Sequence, residues 1–230
     1  ELLLSAGAIL IGKTNMDQFA TGLVGTRSPY GVPGNSFNPD FIPGGSSSGS
    51  AVAVAKGLIS FSLGTDTAGS GRVPASFNNI LGYKPTRGII SNRGIIPACR
   101  SLDCVSVFGL QVSDILEVLL VLEEWDPQDP FSRKKKMLTS SSFPERPRVA
   151  LLEDDQLDFF GDSIARKAYD KSVSVLAESG LYPDTVDLSP FLEAAELLYN
   201  GPWVAERHIA TSPLITESPQ SFLPETLKII

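Results

Sequence analysis

Two glycine- and serine-rich stretches carry the residue types that a hydroxyl nucleophile needs. Gly44-Gly45-Ser46-Ser47-Ser48-Gly49-Ser50 and Gly64-Thr65-Asp66-Thr67-Ala68-Gly69-Ser70-Gly71 enclose one short apolar segment, and Ser46 and Ser70 lie 24 positions apart (46 to 70). An attacking serine wants exposed, sharply turned backbone with amide donors nearby, and glycine permits both. The spacing leaves room for a loop, a helix and a return strand. The second stretch follows a strand pattern and precedes a helix signal, a junction where unpaired amides converge. An oxyanion formed at Ser70 would meet the amides of Thr67, Ala68, Gly69 and Ser70 itself.

Other readings of the same residues stay open on their types alone. A Gly/Ser heptad is often a flexible turn, but this one is flanked by long apolar, order-forming segments. Gly45-Ser46-Ser47-Ser48-Gly49 also fits G-x-S-x-G, with Ser47 as nucleophile and His208, the single histidine, as its base. No Gly-Lys-Ser/Thr follows the glycines, so the phosphate-cradling motif is not met.

The elements that would position these loops read as an α/β pattern. Glu1 to Gly12 reads as the end of a helix running into a strand at Ala6 to Ile11, and Thr21 to Pro43 as a long ordered loop. Ala51 to Gly57 suits a buried helix of small residues closed by Gly57. Ile59 to Leu63 alternates like a strand, and Arg72-Val73-Pro74-Ala75 opens another helix. Gly82 to Ala98 reads as strand and turn. Val112 to Glu124 is an amphipathic helix with Ser113 as its candidate cap. Strands are expected at Val149 to Leu152 and near Thr185 to Asp187, and helices from Ser163 to Ser179, ended by Gly180, and from Ser189. Three parts follow: a core over 1–125 with the serine loops, a linker or extended loop over 126–148, and a continuation over 149–230.

An apolar share of 42% and a charged share of 20% over 230 residues describe a globular protein. The net charge of −7 argues against a nucleic-acid or anionic-membrane partner. No apolar run reaches the length of a membrane span. Two cysteines, Cys99 and Cys104, make no disulfide framework and fit a reducing cytoplasmic setting. With one histidine, no metal site is expected. The basic run Arg133-Lys134-Lys135-Lys136 reads as a solvated linker.

Pro43 to Ser50, the 24-residue spacing, Gly64 to Ser70 and Gly82-Tyr83-Lys84-Pro85-Thr86 together resemble the amidase signature family. The resemblance implies a mixed sheet covered by helices on both faces, expected to be incomplete at both ends. It implies Ser70 as nucleophile and Ser46 as relay serine, held by a cis peptide after Gly45. A lysine would act as base through Ser46, without histidine, metal or cofactor. Asp66 and Arg72 would brace the loops, or serve only as a helix-cap carboxylate and a surface cation. The family's lysine lies further upstream than the 45 residues before Ser46. Lys13, Lys56 and Lys84 do not match its position, so the chain is expected to be an internal fragment, inactive alone, with exposed sheet edges.

Within that family, Gln18 to Gly31, Pro97 to Cys104 and Leu198 to Arg207 resemble the allophanate hydrolases. That resemblance implies a small anionic amide substrate whose carboxylate is held by Tyr199 and Arg207, with backbone contacts from the Gly22 to Thr26 loop, Gly22 and Gly25 included. It also implies urea degradation beside a biotin-dependent urea carboxylase, and leaves room for a homodimer. Residue types alone favour Arg207 as a helix-surface ion-pair partner. The alternatives are an amidotransferase subunit delivering ammonia to a charged tRNA, and a non-catalytic remnant acting as an interaction module.

Overall fold

A computed structural model describes residues 1–134 and 144–230. Lys135, Lys136 and the expected Thr139 to Ser142 part of the linker lie outside the described residues. The chain divides into two compact units, residues 1–135 with 198–230, and residues 136–197. Tyr199 and Arg207 therefore belong to the same unit as the serine loops.

In the first unit the order is α1 (Leu2–Ser5), α2 (Ser48–Ala55), β1 (Phe61–Thr65), α3 (Val73–Phe77), β2 (Leu81–Tyr83), β3 (Val105–Gly109) and α4 (Val112–Leu122). The strands form an antiparallel sheet in the order β1-β3-β2. Phe61 faces Gly109 and Thr65 faces Val105 across one ladder, and Tyr83 faces Val107 across the other. As the central strand, β3 is buried at every position. Alternate side chains of a strand leave opposite faces, and β3 uses both. Val105 and Val107 pack with Ile90 and with Ile115, Val118 and Leu119 of α4. Phe108 packs with Ala51 and Val54 of α2 and Ala75 of α3. Helices thus cover both faces, as the α/β pattern implied. The unit closes with α7 (Trp203–Glu217) and α8 (Pro224–Ile229).

The second unit holds β4 (Arg148–Leu152), α5 (Ser163–Glu178) and β5 (Tyr182–Val186), with β4 and β5 parallel. A parallel pair needs a crossover, and α5 supplies one. The Asp162 side chain caps α5 by accepting from the amides of Ile164 and Ala165, both at 2.9 Å. Helix α6 (Ser189–Asn200) follows, as the Ser189-Pro190 signal predicted.

Two expectations are corrected. Ala6 to Ile11 is not a strand: no ladder pairs with it among the described residues, and Ile9, Leu10 and Ile11 are 82%, 74% and 75% exposed. An apolar run becomes a strand only where a neighbour takes its backbone groups. Ser113 does not cap α4; Gln111 holds that position in extended conformation, and Ser113 lies inside the helix.

The turn after β1 is organised by Asp66. Its amide donates to the Cys104 carbonyl at 2.7 Å, extending the β1–β3 ladder by one step. Its carboxylate, wholly buried, accepts from the amides of Gly69, Gly71 and Arg72 at 2.7, 3.1 and 3.1 Å. The Arg72 guanidinium adds a two-pronged contact at 2.9 and 3.0 Å. Burial alone would raise the Asp66 pKa. The Arg72 pairing and the two glycine amides more than offset it, and the carboxyl sits below the usual range. Gly71 must lack a side chain, because a Cβ there would run into Ser106 of β3.

Phe108→Ala should lower unfolding free energy by about 3–5 kcal/mol, read from urea denaturation. Asp66→Asn should destabilise most near neutral pH. The native carboxyl titrates lower than the unfolded one, so its contribution is complete above the ordinary carboxylate range and is lost as pH falls through the lowered native value. Thermal melts of both proteins against pH should converge on acidification; a gap independent of pH would count against a charged Asp66.

Candidate active site

The first serine loop opens α2, and its hydroxyls divide into two kinds. Ser47 Oγ donates to the Thr65 carbonyl at 3.3 Å and accepts from the Thr65 amide at 3.2 Å. Ser50 Oγ donates to the Leu63 carbonyl at 2.8 Å, and Ser62 Oγ to the Ser50 carbonyl at 2.9 Å. These hydroxyls stitch α2 to β1 and are committed. Ser46 differs: it is wholly buried, follows a cis Gly45–Ser46 peptide bond, and its hydroxyl has no hydrogen-bond partner among the described residues. A buried hydroxyl without a partner loses its water bonds uncompensated; Ser106 Oγ and Thr226 Oγ1 share that state.

The two loops meet through the backbone, where the Ser47 amide donates to the Ser70 carbonyl at 3.4 Å. Ser70 is 5% exposed. Gly69, beside it, adopts φ +130°, a conformation that favours glycine. Its amide is turned to Asp66. The amides of Thr67, Ala68 and Ser70 donate to no acceptor among the described residues. His208 is exposed on α7, and Ser47 Oγ is bonded to Thr65, so the histidine-dependent elbow is not assembled. Lys13 and Lys56 are exposed, and neither they nor Lys84 donates to Ser46 Oγ.

Asp17 fixes the Gly22 to Arg27 loop against the first serine loop. Its amide donates to the Ser46 carbonyl at 2.9 Å, and its carboxylate accepts from the amides of Gly25 at 2.9 Å and Arg27 at 2.7 Å. The Gly45 amide donates to the Leu23 carbonyl at 2.8 Å. Burial holds the Asp17 pKa above its usual range despite those two amides and the Arg27 charge. The Gly25 amide is therefore taken, while Gly22 lies beside Asp17 and the Arg27 side chain.

Arg207 is not on the surface of α7. It is 3% exposed, and Nε donates to the Ala98 carbonyl at 3.1 Å. One terminal nitrogen donates to Thr21 Oγ1 at 3.0 Å. Its guanidinium carbon sits 5.8 Å from the centre of the half-exposed Tyr199 ring. Among the described residues it forms no direct ion pair, though its charge acts on the buried Asp103 carboxylate across Ala98. The neighbouring acid, Glu206, instead accepts from the Ser101 amide at 2.9 Å and from Ser101 Oγ at 2.6 Å. Those bonds outweigh its burial and keep it below its usual range. Arg207 is thus held by two neutral oxygens, the Ala98 carbonyl and Thr21 Oγ1.

Sequence reasoning missed Asp17, Thr21, Asp103 and Glu206 as parts of this assembly. Each is a lone polar residue in a loop or on a helix, with no periodicity to mark it. No cluster of three His, Cys, Asp or Glu side chains suited to a metal occurs among the described residues.

The family model described as Amidase matches residues 1–228. The urea amidolyase of Saccharomyces cerevisiae is 44% identical over the whole chain, which spans 13% of that protein. A structure of Kluyveromyces lactis allophanate hydrolase superposes with a TM-score of 0.93 at 49% identity, covering 99% of this chain and 37% of that one. A glutamyl-tRNA(Gln) amidotransferase subunit of Mycoplasma pneumoniae is 48% identical over 59% of this chain and 28% of its own length. The chain is thus a small part of the length of these relatives. With the Amidase match over nearly its full length, the chain belongs to the amidase family.

Proposed function

We propose that the protein hydrolyses allophanate to ammonia and carbon dioxide, in step with a biotin-dependent urea carboxylase. The observation that carries this reading is Arg207, a buried guanidinium with no direct ion pair among the described residues, in the same unit as the two serine loops. Allophanate is small, planar and anionic, and a guanidinium fork can take its carboxylate through two hydrogen bonds. Likeness to urea amidolyase and allophanate hydrolase over almost the whole chain supports it.

In this mechanism Ser70 Oγ attacks the terminal amide carbon. The Ser70 proton passes to Ser46 Oγ, and the Ser46 proton to a lysine outside these 230 residues. The carbonyl oxygen becomes an oxyanion, met by the amides of Thr67, Ala68 and Ser70; Gly69 serves Asp66 instead. The C–N bond breaks as the relay returns a proton to the departing nitrogen, releasing ammonia and leaving the acyl group on Ser70. Water, deprotonated by the same relay, then attacks the ester and frees Ser70, releasing an N-carboxycarbamate whose two C–N bonds break to give carbon dioxide and a second ammonia. Tyr199 and Arg207 hold the carboxylate throughout, and Gly22 and Gly25 shape the wall near the amide end.

A second reading is an amidotransferase subunit, favoured by the Mycoplasma pneumoniae likeness. Side-by-side rates on allophanate and glutamine separate the two.

In an active form of the protein, Ser70→Ala should cut ammonia release by about 1,000-fold or more. Ser46→Ala should cut kcat by about 100-fold or more through loss of the relay. Retained activity in Ser70→Ala would overturn the mechanism. Arg207→Lys keeps the charge but loses the fork, and should raise KM for allophanate by about 10-fold or more. An unchanged KM would overturn the substrate assignment.

A further inference from the structure

Asp103 is an acid that the proposed mechanism does not use, yet it is only 3% exposed. Its Oδ1 accepts from Thr67 Oγ1 at 2.5 Å and from the Cys99 amide at 3.0 Å. Its Oδ2 accepts from the Ala98 amide at 3.0 Å. Thr67 belongs to the loop whose amides surround Ser70. Ala98 offers its two backbone groups to different partners, its N–H to Asp103 and its C=O to Arg207 Nε.

The turn from Ala98 to Asp103 is gripped on its other side by two consecutive residues of α7. Arg207 holds the Ala98 carbonyl, and Glu206 holds the amide and hydroxyl of Ser101. The Arg87 side chain donates to the Ser101 carbonyl. The turn is closed internally by the Asp103 amide on the Cys99 carbonyl at 2.8 Å. It thus sits between the Ser70 loop and the Arg207 helix, and the Asp103 side chain joins them.

We propose that Asp103 is a positioning residue that sets the Ser70 oxyanion loop and the Arg207 carboxylate anchor in one register, through the turn from Ala98 to Asp103. The proposal rests on the reading of those two groups given above. A substrate with its scissile carbonyl at Ser70 and its carboxylate at Arg207 must bridge a fixed distance, and a misplacement of a fraction of an ångström at either end lowers the rate.

The test uses an active form of the protein with allophanate, measuring kcat, KM and melting temperature. Thr67→Val frees the Ser70 loop but leaves the Ala98–Arg207 contact, so kcat should fall about 10- to 100-fold with little change in KM. Asp103→Asn loosens both ends and should lower kcat to a similar extent while raising KM. Thr67→Ser keeps the hydroxyl and should restore kcat to within about 3-fold of the parent. The double variant Thr67→Val with Asp103→Asn should lose no more in kcat than the worse single variant, the non-additivity of a shared link.

Multiplying losses in the double variant would overturn the proposal. So would an Asp103→Asn protein that melts earlier but keeps kcat and KM. If Asp103→Asn does not fold, the half-buried Thr67 carries the test: a Thr67→Val protein with unaltered kcat overturns it. A parent protein that turns over glutamine and not allophanate refutes the substrate reading alone, and the same kcat cycle on glutamine still tests the link.

Discussion

An ionised carboxylate shut away from water costs several kcal/mol unless its lone pairs are met by donors. Asp66 meets its own with three amides and the Arg72 fork, and the donors it gathers are those of the turn that carries Ser70. The turn therefore cannot relax without stranding the charge. Its amide is in turn tied to β3 at Cys104, so the nucleophile loop is fixed to the most deeply buried strand of the sheet. The first serine loop is held to the same platform through Ser47 and Thr65. Placement of the candidate nucleophile follows from one buried charge and one central strand.

The three buried acids of the site are satisfied to different degrees. Asp66 has a cation and ends up more acidic than usual; Asp17 and Asp103 rely chiefly on amides and a hydroxyl and are held above their usual range by burial. Each spans two segments distant in sequence or fastens a turn to itself, and each bond uses a donor that would otherwise be stranded in a loop. The site is thus a set of loops pinned by carboxylates, in which, among the described residues, the Ser46 hydroxyl has no hydrogen-bond partner and Arg207 no direct ion pair. Loops fixed by buried charges are the kind of scaffold that pre-organised chemistry calls for.

Much of this was legible in the residues. Glycine and serine punctuate the two loops, Pro74 marks the start of α3, and the spacing of Ile115, Val118, Leu119 and Leu122 gives α4 its buried face. Strand β3 is harder to read, because five residues are too few for periodicity and burial on both faces depends on α4, which follows it, together with α2 and α3 well before it. The run from Ile9 to Ile11 misleads for the converse reason: its β-propensity is real, but a strand is a pairing and not a property of the run. The buried acids are invisible in isolation, since Asp103 is made structural by Thr67, 36 positions away. Arg207 reads as a surface cation by type and is buried by the Ala98 carbonyl and Thr21.

The bond between Arg207 and Thr21 joins residues 186 positions apart, and Gln18 reaches the Ser221 carbonyl across 203. The serine loops, by contrast, close over a short stretch. Ring-closure entropy rises only with the logarithm of loop length, about 0.6 kcal/mol for each doubling. Local contacts precede such distant ones during folding because they close the smaller rings first. By that argument the contacts within the serine loops are expected to form before the bond between Arg207 and Thr21. Residues 136–197 fall within the large ring, where added length costs little entropy. Residues added to that unit lengthen a ring that is already long, so by chain entropy alone they cost the bond between Arg207 and Thr21 little.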